Sequence, residues 1–249
     1  MSGHSKWHSI KHKKGAADAK RGKVFTQHAK MITLAAQSGG DPEMNPGLRV
    51  AIDRAKMDNL PNMNIDRAIK KGTGELKDGS ILVETSYEGY GPGGVAILVK
   101  AITDNKNRTL PNVRQCFSKC GGKIGSDGCV AWMFEPKGII LMDVSGKNME
   151  EIEMEVIEAG AEDMEADGDT MTVTTAFEDL GLVRNALTKA GFKIESAKIE
   201  YIAKEHVKIE DESTASKIIR LMDALDEDED VTEVAGNFDI SEEILEKLG

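Results

Sequence analysis

Apolar residues recur at helical spacing over the first third of the chain and alternate with polar ones over much of the rest. Phe25, Ala29, Ile32 and Ala36 fall on one face of a helix over residues 24–37, and Gly39-Gly40 supplies its stop. Leu48, Ala51, Ile52 and Ala55 predict a second helix, and Ile65, Ala68 and Ile69 a third. The break Asn59-Leu60-Pro61-Asn62 separates the two, and Gly72 closes the last. Residues 24–79 therefore read as a three-helix domain, and residues 1–23, which carry no sustained apolar period, as a basic arm ahead of it.

Beyond Asp78-Gly79 the period shortens. Residues 81–87 and 95–102 are extended and joined by Glu88-Gly89-Tyr90-Gly91-Pro92-Gly93-Gly94, which reads as a β-hairpin. Leu110, Val113 and Phe117 predict a helix from near Pro111 to Gly121-Gly122, and the apolar run 129–134 a further strand, giving a ββαβ unit. Residues 138–143 are then extended, 149–159 helical, two short strands flank Asp167-Gly168, 179–190 are helical, and Ala197, Ile199, Tyr201 and Ala203 alternate. That order, βαββαβ, is ferredoxin-like. A helix bearing Ala215, Ile218, Met222 and Leu225 on one face, the acidic run 226–230 and a strand from Val231 would complete the ββαβ unit. The expected fold is thus α/β (α+β) with three domains: the helical one, a discontinuous α/β domain of 80–135 plus 203–249, and a ferredoxin-like domain, 136–202, inserted into it.

A chain of 249 residues, 40% hydrophobic and with six prolines, has enough apolar material for two or three cores. It has no run of about 18 apolar residues and no secretory signal at its start, so a cytoplasmic location with no membrane partner is expected. Three cysteines, Cys116, Cys120 and Cys129, are an odd number in such a chain and read as reduced, buried thiols.

Charge changes the picture more. The net charge is -11, which argues against a nucleic-acid partner until its distribution is considered. Residues 1–30 hold eight Lys/Arg (Lys6, Lys11, Lys13, Lys14, Lys20, Arg21, Lys23, Lys30) against a single acid, Asp18, together with four of the five histidines. From residue 76 onward there are 18 Lys/Arg against 36 Asp/Glu, a surface that repels phosphate. Any polyanion should meet the N-terminal end. There Trp7, His8 and His12 stand among lysines, a combination suited to unpaired bases because rings stack while ammonium groups neutralise phosphates.

Competing chemistries fit less well. His4, His8 and His12 are spaced for one helix face, but the surrounding lysines would repel a divalent cation, and no metal is expected. Gly89-x-Gly91-x-x-Gly94 has the literal spacing of a dinucleotide loop, yet a strand follows it where a helix should open, and Pro92 removes a backbone donor. Arg49, Lys56, Arg67, Lys70 and Lys71 invite a helix-turn-helix reading, although Asp53, Asp58 and Asp66 on the same helices make an ordinary solvated surface the better one. No nucleophile with a base, carboxylate pair or phosphate loop is recognisable, so neither enzymatic activity, cofactor nor small-molecule substrate is expected.

Gly3-His4-Ser5-Lys6-Trp7, Ile10-Lys11-His12-Lys13-Lys14 and Asp18-Ala19-Lys20-Arg21-Gly22-Lys23 closely resemble the start of the YebC-type family. Further blocks agree, among them Asn59-Leu60-Pro61, Ile65-Asp66-Arg67-Ala68-Ile69-Lys70-Lys71-Gly72, Tyr87-Glu88-Gly89-Tyr90-Gly91-Pro92-Gly93-Gly94 and Thr103-Asp104-Asn105-Lys106-Asn107-Arg108-Thr109, so the resemblance spans essentially the whole length. It implies a three-domain α/β protein, usually described as a transcriptional regulator that binds DNA. Related mitochondrial proteins activate translation of cytochrome c oxidase, and bacterial ones are connected with stalled ribosomes. The expectation is a non-enzymatic regulator contacting DNA, or alternatively ribosomal RNA on the ribosome, through Lys6, Trp7, His8, Lys11, His12, Lys13, Lys14, Lys20, Arg21, Lys23 and Lys30. An acidic adaptor that docks a basic protein is a further alternative.

Overall fold

The computed structural model describes residues 18–76 and 81–248, which form two compact units, one of residues 134–203 and one of the remainder.

The second unit opens with three helices, α1 (Asp18–Ala36), α2 (Pro46–Met57) and α3 (Asn62–Gly72). Their apolar stripes close on Ile32, Ala36, Leu48, Ile52, Ala55, Leu60, Ile65 and Ala68. Asn45 sets the corner between α1 and α2. Its Oδ1 accepts from the Leu48 amide at 3.0 Å, capping α2, while its Nδ2 donates to the carbonyls of Ala35 and Gly39 at 2.8 Å each. α1 begins at Asp18, six residues before the expected onset at 24, so part of the expected arm is helix. Its first turns show no apolar period, and Ala19, Lys20, Arg21 and Lys23 favour helix by propensity alone.

The same unit contains a four-stranded antiparallel sheet. β1 (Val83–Tyr90) and β2 (Ala96–Thr103) form the expected hairpin, turned by a 3-10 segment, Pro92–Gly94, in which Gly93 and Gly94 take φ of 71° and 76°. The glycine loop is a turn between strands. α4 (Lys106–Lys119) follows, then β3 (Lys123–Ile124) and a 3-10 turn, Ala131–Met133. After residue 203 come β8 (Val207–Ile209), α7 (Glu212–Asp226), β9 (Val231–Gly236), β10 (Phe238–Ile240) and α8 (Glu242–Leu248). Strand order is β3-β1-β2-β9, with β8 and β10 as a separate parallel pair. β9 thus returns to pair with β2, which is why β2 is buried along nearly all its length and reads as a continuous apolar run. The core gathers Val99, Val113 and Phe117 with Ile218, Leu221 and Met222 of α7 and Phe238.

Three expectations here are corrected. α4 starts at Lys106, because Asn105 caps it by accepting from the Arg108 amide at 3.2 Å, and Pro111 lies inside the helix. Residues 129–133 are no strand: the amides of Val130 and Ala131 are engaged by a buried carboxylate, those of Cys129 and Met133 by the Ser126 and Val130 carbonyls, and the edge beside β1 is taken by β3. The thiols of Cys116, Cys120 and Cys129 are free and half-buried where full burial was expected.

The first unit contains β4 (Phe134–Asp143), α5 (Met149–Glu158), β5 (Asp163–Asp167), β6 (Thr170–Ala176), α6 (Leu180–Lys189) and β7 (Lys193–Ala203). Every pairing is antiparallel and the order is β5-β6-β4-β7, the ferredoxin-like arrangement. Alternate residues of β4 and β6 face a core of Ile140, Met142, Ile152, Val156, Met171, Val173, Val183 and Leu187. The chain is therefore a three-domain α/β protein, and among its described residues no helix is long and apolar enough to cross a membrane.

Helix packing in the bundle depends on one glycine. A Cβ at Gly72 would sit 2.3 Å from the Thr33 carbonyl oxygen and 2.6 Å from the Ala36 Cβ, whereas one at Gly22 would meet nothing within 4 Å. Gly72→Ala should therefore lower stability by about 1–3 kcal/mol through forced separation of α1 and α3. Gly22→Ala should raise it by up to about 1 kcal/mol. Urea unfolding of the full chain distinguishes them, and equal effects would contradict the close crossing.

Candidate nucleic-acid interface

Of the residues expected to contact nucleic acid, Lys6, Trp7, His8, Lys11, His12, Lys13 and Lys14 lie outside the described residues, as do His4 and the metal spacing it begins. Lys20 and Arg21 fall in the first turn of α1, and Lys23 is half-buried one turn on. Lys30 has a different occupation. Its ammonium donates to Asp230 Oδ1 at 2.8 Å and to the Glu229 carbonyl at 2.6 Å. One turn earlier, Gln27 Nε2 donates to the Val231 carbonyl at 2.8 Å, and Gln37 Nε2 reaches the Leu82 carbonyl at 3.0 Å. Positions 27 and 30 of α1, and Gln37 just beyond its end, thus fasten the helix to the segment entering β9 and to the start of the hairpin.

Asp230 is the centre of this attachment and is only 4% exposed. Besides Lys30, its carboxylate accepts from Arg108 Nη2 at 2.8 and 3.1 Å, from Thr109 Oγ1 at 2.8 Å and from Thr103 Oγ1 at 3.1 Å. Its carbonyl accepts from the Ile102 amide at 2.8 Å. Burial alone would push the Asp230 carboxyl up. The hydrogen bonds from Lys30, Arg108 and Thr109 outweigh it and hold the group well below the usual carboxylate range. The same pair raises Arg108, which also bonds Asp104 at 3.0 Å.

Around this cluster lies a cleft of about 710 Å³ where Lys30, Lys71 and Arg108 meet Asp104, Asp228, Glu229 and Asp230. Carboxylates outnumber cations along its wall, so it offers a phosphate no net attraction. The helix-turn-helix candidates give a mixed surface. Arg49, Lys56, Arg67 and Lys70 are exposed, Lys71 is half-buried, and exposed Asp53, Asp58 and Asp66 are interspersed with them. His28 Nε2 bonds the Asp58 carboxylate, so one of those acids is used within the bundle.

A second buried carboxylate was not anticipated. Glu88, on β1 and 5% exposed, accepts backbone amides from Gly128, Val130 and Ala131, each at 2.7 Å. Burial pushes its carboxyl up, but the three amides and the nearby Lys100 ammonium more than offset this, and the group lies below its ordinary value.

Residues 5–75 match the TACO1/YebC protein N-terminal domain, and residues 82–238 the TACO1/YebC second and third domain. The chain belongs to the TACO1/YebC family. A protein of Geotalea uraniireducens (strain Rf4) is 52% identical over the whole of both chains, and one of Geobacter sulfurreducens is 53% identical, again over all of each. Both carry the name "probable transcriptional regulatory protein". The crystal structure of a conserved hypothetical protein from Aquifex aeolicus is 47% identical, with a TM-score of 0.85 over 95% of this chain and 97% of that one. In this TACO1/YebC chain Arg108 belongs to the block Thr103-Asp104-Asn105-Lys106-Asn107-Arg108-Thr109, one of those that resemble the family, and Asp230 accepts from Thr103, Arg108 and Thr109 of that block.

Two outcomes follow from the buried carboxylates. Asp230→Asn leaves the Lys30 ammonium uncompensated and should cost about 3 kcal/mol, while Arg108→Lys, at a half-exposed position, should cost under about 1 kcal/mol. Urea unfolding gives both values, and a reversed order would contradict the central place of Asp230. Because the folded value of Glu88 is depressed, the stability it contributes is complete above about pH 5 and is lost as pH falls through the unfolded and then the lower folded value. The stability difference between wild type and Glu88→Gln should therefore shrink between about pH 7 and pH 3. A pH-independent difference would contradict this.

Proposed function

We propose that this protein is a non-enzymatic regulator of gene expression that binds nucleic acid through the basic residues preceding Lys30. The observation that carries the reading is the segregation of charge: eight Lys/Arg against one acid in residues 1–30, and 18 against 36 from residue 76 onward. The regulatory names of its full-length relatives support it. Since Asp230 engages Lys30 and Lys23 is half-buried, the phosphate contacts fall to Lys6, Lys11, Lys13, Lys14, Lys20 and Arg21.

Six neutralised phosphates imply a steep salt dependence, with affinity for duplex DNA falling about 10³-fold between roughly 50 and 200 mM salt. Replacing Lys13 and Lys14 by alanine should reduce the slope of log affinity against log salt by about 2. Lys30→Met should leave that slope unchanged. Anisotropy titrations of labelled DNA at several salt concentrations check all three, and salt-insensitive binding would overturn the reading.

Within this reading, a transcriptional role, which is all the relatives' names state, would call for DNA, whereas Trp7 among lysines favours structured RNA such as ribosomal RNA, because stacking needs an unpaired base. Trp7→Ala should weaken binding to structured RNA by about 1–3 kcal/mol and binding to duplex DNA much less. Equal losses on both ligands would refute the stacking role. Co-sedimentation of the full chain with 70S ribosomes at about 100 mM salt then distinguishes a translational from a promoter target, a salt-sensitive comparison in either case.

A further inference from the structure

The buried carboxylate of Glu88 holds something in place. It fixes the amides of Gly128, Val130 and Ala131, and the Glu88 carbonyl accepts from the Gly125 amide at 2.8 Å, so residues 125–131 hang from one residue of β1. The segment leads directly into Trp132, whose indole is 65% exposed. Trp132 Nε1 donates to the Cys129 carbonyl at 3.3 Å, and the hydroxyl of Tyr90, 40% exposed, donates to that same oxygen at 3.3 Å. Two exposed rings are thereby pinned to one acceptor. Lys204 Nζ donates to the Trp132 backbone carbonyl at 3.0 Å, and exposed Lys123 is the cross-strand partner of Tyr90, so one lysine is held at the backbone of Trp132 and another lies across the strands from Tyr90.

An exposed indole held by a buried charge is not explained by core packing. Only 4% of the chain is aromatic, and Trp132 is one of two tryptophans. Rings presented at a surface beside ammonium groups suit a flat, electron-rich ligand attached to negative charge.

We propose that Trp132 and Tyr90 form a stacking platform for an unpaired base of single-stranded RNA, with Lys123 and Lys204 placed for the adjoining phosphates. The inference rests on the nucleic-acid reading above and gives the discontinuous α/β domain its own contact, separate from the N-terminal segment. Asp127 and Glu205 are exposed close by in sequence, so binding here is a base stack with one or two phosphate contacts, and its salt dependence is shallow. Duplex DNA, whose bases are already stacked, has nothing to place on the rings.

The test uses the full chain carrying Trp7→Phe, which leaves Trp132 as the single indole, titrated with hexauridylate and hexaadenylate while tryptophan emission is followed. Stacking should quench the emission. Trp132→Ala in the otherwise native chain should weaken single-stranded RNA binding by roughly 5- to 150-fold with the salt slope and duplex affinity unchanged, and Trp132→Phe, which keeps a ring, should recover most of the loss. An unquenched indole together with unaltered RNA affinity in Trp132→Ala would overturn the platform. If the Lys13/Lys14 double variant still lost affinity in that case, the broader nucleic-acid reading would stand without it. Wild-type protein that bound neither RNA nor DNA would sink both. Quenching by a proline-rich peptide but by neither oligonucleotide would assign the rings to a protein partner and overturn the RNA proposal.

Discussion

Asp230 sits where four parts of the second unit meet, and its carboxylate is the point from which they are held. It reaches α1 through Lys30, α4 through Arg108 and Thr109, and the end of β2 through Thr103, while its own carbonyl caps the Ile102 amide. A carboxylate taken so far out of water is stable only with its lone pairs filled by charged and hydroxyl donors, and here they are. Because Asp230 lies between α7 and β9, beyond the inserted domain in sequence, this contact also ties the return of the chain to its first helix.

That attachment gives the charge segregation a structural sense. Two oppositely charged segments of one chain would be drawn together wherever they meet, and the bundle uses Lys30 for this purpose. The cleft beside it is lined by more acids than cations, so the attraction is spent internally and leaves no phosphate site there. Basic residues nearer the N-terminus stand against a single acid, unlike the mixed surface of α2 and α3, which is why the proposed interface is confined to them. The Glu88 loop follows the same economy of charge on the sheet, one buried carboxylate fixing a segment that carries exposed rings.

The architecture was legible because its elements bury one face each. Helical spacing at Phe25, Ala29 and Ile32 and alternation in residues 197–203 are direct consequences of that burial, and the βαββαβ order needs no side-chain detail. What escaped was local. The first turns of α1 have no apolar period and look like an arm in sequence, and Pro111 resembles a helix start although Asn105 supplies the cap. Residues 129–134 have strand composition, but the three amides on Glu88 decide their path, and Glu88 itself looked like a charged residue in a glycine-rich turn. At the site, Lys30 was indistinguishable by sequence from the other cations of its segment, and Asp230 from its neighbours in the acidic run 226–230. Their pairing spans 200 positions and depends on the tertiary fold.

The division of labour between a basic N-terminal segment and an acidic remainder is most directly tested by equilibrium binding at about 100 mM salt, where phosphate contacts still contribute strongly to affinity. Labelled structured RNA and duplex DNA would be titrated with the full chain and with a chain lacking residues 1–17, whose folding is checked by its unfolding transition. Loss of affinity by tenfold or more on the preferred ligand is the expected result. Undiminished affinity in the truncated, folded chain would contradict the assignment of nucleic-acid binding to the N-terminal segment.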